Sequence, residues 1–295
     1  MRLKTICKST ILGLLSDKMY LKYVFYRTFG KKLNLNNPVS FNEKLQWLKL
    51  YDHNPIYPKW VDKCEAKKMA EAILGRDYII PTIAVWNSVD EIDWSVLPPQ
   101  FVIKTTNGGG SNGVIVCPDK AKLDIAKASE QLRGAYNFNI YKQYREWPYS
   151  QFKPRIIAEK LMSDDSPENE GALSDYKFYC FNGYVACCMV CTNRGKGETH
   201  FYFFDKNWNL LRINKRGLKA PEGFTLPKPY CIDEMFEMAS LLSKGFPFVR
   251  TDLYVVNGHV YFGELTFYPD SGLDRNYLPE TDIWLGSLIN QKNIL

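Results

Sequence analysis

Residues 101–114 read FVIKTTNGGGSNGV, and the rest of the chain is best interpreted from this stretch outward. An apolar strand ends at Lys104, a glycine-rich loop follows, and a second apolar run begins at Val114. Glycines let backbone N–H groups surround phosphate oxygens, and a lysine beside them supplies a fixed positive charge. The spacing is not that of a P-loop or of a dinucleotide-binding turn, because no Gly-Lys-Ser/Thr and no helix follow. The stretch therefore favours phosphate binding over its alternative, a flexible hairpin tip.

A second pair of motifs flanks the turn Asn257-Gly258, which is a signal for a two-residue β-hairpin. Arg250-Thr-Asp252 precedes the turn and Glu264-Leu-Thr266 follows it, so strand pairing brings the two acids together. Asp252 stands five residues before the turn and Glu264 six residues after it, an offset that a β-bulge would absorb. The flanking residues are strongly apolar, and carboxylates among apolar residues need compensation. Because oxygen ligands suit Mg²⁺, we favour a metal site over a solvated hairpin face.

The remaining pattern predicts an α+β protein. Residues 1–75 read as helical: Ser40 and Glu43 fit a capping box, and a further helix is expected from about Lys59 to Leu74. From residue 76 onward, β-rich runs dominate and alternate with single helices. The predicted parts are a helical N-terminal segment (1–75), a lobe with the glycine-rich loop (76–160) and a lobe with the paired acids (161–295).

Composition and charge narrow the class of protein. The 295-residue chain is 45% hydrophobic and 24% charged, which excludes collagen-like, disordered and multispan membrane proteins. The net charge is +6, but residues 1–32 hold eight basic side chains against one acid, so the remainder is close to neutral. This distribution argues against a nucleic-acid partner.

The N-terminus predicts a cytoplasmic protein. Its apolar run at 11–15 is too short for a secretion signal, and the eight cysteines are expected as reduced thiols. The simplest interpretation of the basic segment is a solvated helical face. The other hypothesis is peripheral contact with the inner face of the cell membrane through residues 1–32.

The order and spacing of these features resemble the ATP-grasp superfamily and, more narrowly, the TupA-like ATP-grasp proteins of bacterial surface-polysaccharide clusters. The narrower resemblance covers roughly residues 35–290. Each segment is weakly specific, but their order and spacing together are fairly specific. The segments are Ser40–Leu50, Asp62-Lys63, Leu97–Lys104, Lys153–Leu161, Asp175–Gly183 and Glu264–Phe267. The resemblance implies an ATP-grasp fold, in which two mixed α/β lobes clamp ATP.

The resemblance also implies a nucleotide site. Lys104 and the earlier Lys63 would hold the ATP phosphates, and Lys177 would add positive charge over the nucleotide. The hinge after the first lobe would contact adenine through backbone groups, and an acid just beyond it would reach the ribose. The hinge residues are Glu159, Lys160 and Met162, the ribose acid is Asp164 or Asp165, and the loop over the phosphates comprises Asn107, Gly108, Gly109, Gly110, Ser111 and Gly113.

For the metal, the resemblance implies Asp252, Glu264 and Thr266 as Mg²⁺ ligands. Arg250 would lie near the transferred phosphoryl group and, with Lys104 and Lys177, would form the catalytic cations. Most ATP-grasp enzymes have asparagine where this chain has Thr266, so the number of bound metal ions stays open. Close relatives often have a histidine where this chain has residues 107–109, so no catalytic histidine is expected there.

The implied activity is that of an ATP- and Mg²⁺-dependent carboxylate–amine ligase, which forms an amide through an acyl phosphate. Its partners would be ATP, a uronic-acid carboxylate of a capsule or surface polysaccharide, and an amine or amino acid. The loop 267–275 is expected to face the acceptor, with Arg275 or Arg194 as a carboxylate-binding residue. The alternatives are a glycosyltransferase or an ATP-dependent phosphotransferase of the same pathway, and a non-catalytic adaptor.

Overall fold

The computed structural model describes residues 14–108, 113–163, 174–192 and 199–290. Its helices are α1 (Asp17–Phe29), α2 (Phe41–Tyr51), α3 (Tyr57–Val61), α4 (Lys63–Leu74), α5 (Ile125–Tyr136), α6 (Ile140–Tyr144), α7 (Lys215–Leu218), α8 (Ile232–Leu242) and α9 (Pro279–Ser287). Its strands are β1 (Thr82–Trp86), β2 (Phe101–Thr105), β3 (Val114–Cys117), β4 (Ile156–Lys160), β5 (Ser174–Phe181), β6 (Tyr184–Thr192), β7 (His200–Phe204), β8 (Leu210–Leu211), β9 (Val249–Val256) and β10 (His259–Thr266).

The strands form two antiparallel sheets, which confirms the predicted α+β class. The first sheet has the order β1-β4-β2-β3, and the second has the order β10-β9-β5-β6-β7-β8. The glycine-rich stretch joins β2 to β3 as a hairpin in which Lys104 pairs with Val114. Asn257 and Gly258, between β9 and β10, have φ angles of 50° and 78°, the left-handed backbone of a tight hairpin turn.

Two hydrophobic cores hold these layers together. A small core lies under the first sheet and includes Ile103 and Leu132. The larger core joins the second sheet to the N-terminal helices, where the Phe41 ring meets the Phe248 ring edge-on at 4.7 Å and the Tyr277 ring at 5.9 Å. The helical segment therefore shares its core with the C-terminal sheet.

The start of α2 is fixed by the predicted capping box. The Ser40 hydroxyl accepts the Glu43 N–H at 3.3 Å, and the Glu43 carboxylate accepts the Ser40 N–H at 3.1 Å. This reciprocal pair satisfies two N–H groups that a helix start leaves without partners.

The single helix expected from Lys59 to Leu74 is wrong, because the chain breaks at Asp62 into α3 and α4. The Asp62 carboxylate accepts the N–H groups of Cys64 and Glu65 at 2.9 and 3.1 Å and so caps α4. It also accepts the Thr106 hydroxyl at 3.1 Å and the Arg155 guanidinium at 2.8 Å. Because both partners belong to the first sheet and its loop, Asp62 joins α4 to the base of the glycine-rich loop.

Replacing Asp62 tests this junction. Asp62→Ala removes a helix cap and leaves Arg155 without a buried carboxylate partner, so we expect a loss of about 3 kcal/mol in the free energy of unfolding. The matched control is Asp124→Ala, because Asp124 caps α5 at an exposed position and should cost only about 1 kcal/mol. Urea unfolding followed by circular dichroism measures the free energy of unfolding of both variants. Equal losses of stability in the two would contradict the role of Asp62 in joining α4 to the glycine-rich loop.

Candidate functional site

A cavity of about 1000 Å³ lies where α4, the glycine-rich loop, β10 and the turn after β10 meet. Several predicted site residues line it: Lys63, Asn107, Gly108, Gly113, Arg250, Glu264 and Thr266. Lys104, Glu159, Lys177 and Asp252 are not among its lining residues. Asp252 joins Lys177 to the lining residue Arg250 through ion pairs, whereas Lys104 and Glu159 pair with each other. Gly109, Gly110, Ser111, Asp164, Asp165 and Arg194 lie outside the described residues.

The hairpin of β9 and β10 brings the two acids together. Asp252 pairs with Glu264 and Arg250 pairs with Thr266 in the strand register. The register shifts between Phe262 and Glu264, so the irregularity expected from the one-residue offset is present.

Gly263 is the residue that permits this bulge. A Cβ atom at Gly263 would lie 2.8 Å from the Asp252 carbonyl oxygen and 2.9 Å from Cε2 of Tyr254. Both distances are shorter than side chains tolerate, and the first is to backbone, which cannot move aside cheaply. The close approach of the two acids therefore requires glycine here, a requirement that spacing alone did not indicate.

Asp252 is the most enclosed acid of the site, with 1% of its surface exposed. Arg250 donates to both of its carboxylate oxygens at 2.7 Å, and Lys177 donates to Oδ2. Lys177 also contacts Asp175 at 2.7 Å. Burial raises the pKa of Asp252, but the charges of Arg250 and Lys177 outweigh it and hold that pKa below its ordinary value. Asp252 is therefore a carboxylate that two cations keep ionised.

Glu264 is more open, with 34% of its side chain exposed toward the cavity. The Thr266 hydroxyl donates to it at 3.3 Å, and in turn accepts from Arg250 at 3.1 Å. Lys63 lies 3.8 Å from the Glu264 carboxylate and donates to the carbonyl of Gly108. Lys63 thus connects the glycine-rich loop to the acidic hairpin across the cavity, and burial lowers its pKa.

A second cluster of charges surrounds Glu159 on β4. Its carboxylate, 4% exposed as a residue, contacts Lys67 at 2.6 Å and Lys104 at 2.5 Å. Burial raises the pKa of Glu159, but the two lysines hold it below its ordinary value. Sequence reasoning missed Lys67. The available signal was its spacing, because Lys67 lies four residues after Lys63 and so on the same helix face.

The base of the glycine-rich loop holds polar atoms without partners. Within the described part of the chain, Thr105 Oγ1 and Asn107 Oδ1 are buried without a hydrogen bond. Gly108 and Gly113 pack against that threonine, since a Cβ at either would lie 2.9 or 2.7 Å from Thr105 Oγ1. Such atoms carry a desolvation cost unless a ligand pairs with them, so the loop base has the character of a polar binding surface.

The predicted hinge lies further away. Lys160 ends β4, is exposed, and donates its N–H to the Pro81 carbonyl at 3.0 Å. With Leu161 it lines a separate depression beside Pro98 and Val116. Neither Lys160 nor Met162 lines the main cavity.

Two antiparallel sheets, one with a lysine-bearing glycine hairpin and the other with paired acids, define the ATP-grasp class of fold. The sequence profile of the family described as TupA-like ATPgrasp matches residues 43–290. The chain therefore belongs to the TupA-like ATP-grasp family, and the predicted resemblance is confirmed. A comparison with curated proteins finds no match.

Solved structures of similar fold share little sequence with this chain. D-alanine–D-alanine ligase from Helicobacter pylori is 15% identical with a TM-score of 0.44, covering 86% of this chain and 68% of that one. The L-amino acid ligase from Bacillus licheniformis is 12% identical with a TM-score of 0.47, covering 88% of this chain and 57% of that one. The ATP-grasp ligase PsnB is 13% identical with a TM-score of 0.40, covering 84% of this chain and 68% of that one.

Gly263→Ala tests the bulge that brings the acids together. The added methyl group should displace the Asp252 backbone, lower the free energy of unfolding by about 1–3 kcal/mol and weaken Mg²⁺ binding. Gly134→Ala is the control for stability: it lies in α5 with open space around its Cβ position, and should be neutral or stabilising by up to about 1 kcal/mol. Because Gly134 lines the cavity, Mg²⁺ binding by Gly263→Ala is compared with the wild type alone. Urea unfolding and a Mg²⁺ titration measure the two effects. A Gly263→Ala protein that binds Mg²⁺ as the wild type does would rule out this role.

Proposed function

We propose that this protein is an ATP- and Mg²⁺-dependent ligase that joins a carboxylate to an amine through an acyl phosphate. One observation carries the proposal: Lys63 and the glycine-rich loop border a cavity whose other border is formed by Arg250, Glu264 and Thr266. A site of this kind holds phosphate groups beside metal-ligating acids. Membership in an ATP-grasp family supports the same conclusion.

The donor set of the hairpin fits Mg²⁺. Among the described residues no group of three His, Cys, Asp or Glu side chains forms a metal cluster. Mg²⁺ does not need one, because it is usually held by one or two carboxylates together with substrate phosphates and water. Glu264 and Thr266 supply a carboxylate and a hydroxyl that line the cavity, and Asp252, whose oxygens accept from Arg250 and Lys177 in this structure, supplies a second carboxylate beside them. These three residues would hold the ion.

The nucleotide would be held from the first sheet and its loop. Lys104 and Lys63 would bind phosphates, with Lys177 as a further cation, and Asn107, Gly108 and the loop to Gly113 would cover them. Glu159, Lys160 and Met162 do not line the cavity, so they would meet the adenine only where the nucleotide extends beyond it. The unpaired Asn107 oxygen supports this assignment, because Asn107 lines the cavity and a bound polar ligand would relieve the desolvation of that oxygen.

Bound ATP with Mg²⁺ would supply the phosphoryl group that activates the substrate carboxylate. Arg250 stands at the cavity wall, where its guanidinium is placed to stabilise negative charge on oxygen. Asp252 fixes the orientation of Arg250 through two hydrogen bonds, so little reorganisation is needed when charge develops. The loop over the cavity would exclude water, which otherwise hydrolyses an acyl phosphate.

The carboxylate substrate we propose is a uronic acid of a capsule or surface polysaccharide, or its nucleotide-sugar precursor. It follows from the resemblance to proteins of such gene clusters. A glycosyltransferase would leave the Lys104–Glu159–Lys67 cluster and the glycine-rich loop without a role. A phosphotransferase would use the same residues, and its product separates it from a ligase.

The proposal is tested by ADP release measured with a panel of uronic-acid sugar nucleotides and amino acids. We expect ADP release to depend on both substrates and an amide to form. Glu264→Gln removes a charged metal ligand and should lower the rate by about 100-fold or more. Glu280→Gln, an exposed acid at the start of α9, should leave it unchanged. Full activity of Glu264→Gln would refute the metal assignment, and a phosphorylated hydroxyl product would refute the ligase.

We also propose that α1 contacts an anionic membrane surface. Leu21 and Phe25 anchor α1 in the core. Its outer face exposes basic and large apolar side chains, namely Lys18, Met19, Lys22, Tyr23, Tyr26 and Arg27. Among the described residues, no helix has the length and apolar character of a membrane span.

Because Leu21 and Phe25 are buried, deleting α1 would disturb the fold, so charge reversal is the cleaner test. The triple variant Lys18→Glu, Lys22→Glu and Arg27→Glu should lower the affinity for phosphatidylserine vesicles, measured by sedimentation, by about 100-fold. The reason is that each basic residue near an anionic membrane surface contributes about 1 kcal/mol to binding. Reversal of the exposed Lys206, Lys219 and Lys228 is the matched control. Equal loss in both triple variants, or binding to uncharged vesicles, would contradict the proposal.

A further inference from the structure

The chain turns sharply where it leaves β10, at Pro269–Gly272. Asp270 and Ser271 have φ angles of 46° and 56°, a left-handed conformation that residues other than glycine rarely adopt. Gln46 of α2 donates to the carbonyls of Ser271 and Gly272 at 2.9 and 2.8 Å and so holds the turn in place. Strained backbone of this kind collects at functional sites, and this turn lines the cavity.

Lys49 of α2 is buried behind the turn. Its ammonium group donates to the Tyr144 carbonyl at 3.0 Å, the Ser271 carbonyl at 2.7 Å and the Ser271 hydroxyl at 2.5 Å. An ammonium group has three N–H donors, and these contacts use all of them. The Glu146 carboxylate lies 4.0 Å from the same nitrogen. Lys49 therefore balances the charge of Glu146 without filling its hydrogen-bonding positions.

Glu146 and Tyr268 border the cavity in front of Lys49. Glu146 is 8% exposed as a residue; burial raises its pKa, and the charge of Lys49 opposes that rise. Tyr268 also lines the cavity, and its buried hydroxyl has no partner within the described residues. Burial raises the pKa of Tyr268 well above its ordinary value, so its hydroxyl stays neutral. A carboxylate and a neutral hydroxyl are thus available to a ligand.

Tyr149 lines the same cavity as Glu146, Arg250 and Glu264. Burial raises the pKa of Tyr149. The negative charges of Glu146 and Glu264 raise it further, and the positive charge of Arg250 lowers it. Glu146 and the hairpin residues Glu264 and Arg250 therefore lie within electrostatic range of Tyr149 on the lining of one cavity. A substrate held at Glu146 is therefore close to one held at Arg250.

The charges of the wall select the kind of ligand. Glu146 and Asp270 line this wall, Lys49 lies 4.0 Å from Glu146, and the charge of Asp52 reaches Tyr268 from outside the lining. A substrate carboxylate would be repelled by these acids and attracted to Arg250 instead. An ammonium group brings a positive charge and three N–H donors, which match the carboxylate and the unpaired hydroxyl oxygen.

We propose that Glu146, the Tyr268 hydroxyl and the strained turn form the subsite that binds the ammonium group of the amine substrate. Lys49 is the residue that positions Glu146 and Ser271. The inference rests on the proposed ligase function and specifies which wall of the cavity receives the second substrate.

The same placement gives Glu146 a chemical task. The bound ammonium must lose one proton before its nitrogen lone pair is free, and the Glu146 carboxylate accepts that proton and later releases it to water. The nitrogen then attacks the carbonyl carbon of the acyl phosphate. The new C–N bond forms as the C–O bond to phosphate breaks, and the departing phosphate takes the second nitrogen-bound proton.

The test uses the full chain without ATP and three small probes: ethylammonium chloride, sodium acetate and ethanol. Saturation-transfer NMR titrations should show binding of ethylammonium and of neither other probe. Glu146→Gln should weaken ethylammonium binding by about tenfold or more, because it removes a charge-assisted hydrogen bond. Glu237→Gln, an exposed acid on α8, is the matched control and should bind as the wild type does.

Tyr268→Phe keeps the proposal testable if Glu146→Gln fails to fold, because it removes a hydroxyl that makes no hydrogen bond to any residue the structure describes. It should weaken ethylammonium binding severalfold without changing the midpoint of thermal unfolding. Equal ethylammonium binding in the wild type and both variants would overturn the subsite, as would a preference for acetate or ethanol. Ethylammonium binding that depends on Glu146, together with no amine-dependent ADP release, would support the subsite and contradict the ligase.

Discussion

The buried carboxylate of Asp252 is the constraint on which the acidic hairpin depends. An ionised carboxylate that is 1% exposed is tolerated only where cations compensate it, and Arg250 and Lys177 do so from the same strand and from its neighbour β5. The bulge at Gly263 then sets Glu264 opposite Asp252, and Thr266 completes a row of oxygens beside Arg250. Packing, charge and strand register thus all lead to one arrangement of the Asp252, Glu264 and Thr266 oxygens.

The N-terminal helices complete the site from the other side. α4 contributes Lys63 to the glycine-rich loop and Lys67 to Glu159, while α2 contributes Gln46 and Lys49 to the turn after β10. Because they share a core with the second sheet, the lysines they carry are held by the same packing as the acids.

Features that depend on neighbouring residues were predicted from the sequence, whereas contacts between residues far apart in the chain were not. The offset around Asn257-Gly258 was enough to predict the bulge, and the β2–β3 hairpin followed from its glycines. The break at Asp62 was missed because its partners Thr106 and Arg155 lie 44 and 93 residues away, while the local pattern reads as one helix. The pairing of Lys49 with Glu146 was missed for the same reason, since sequence spacing carries no information about contacts between distant elements.

Binding of a Mg²⁺-nucleotide between the two sheets is the central claim, and calorimetric titration with a non-hydrolysable ATP analogue tests it most directly. If Asp252 and Glu264 hold the ion that accompanies the phosphates, affinity for the analogue should be at least about tenfold higher with Mg²⁺ than with a chelator present. An affinity that does not change when Mg²⁺ is removed, or no binding under either condition, would contradict the site.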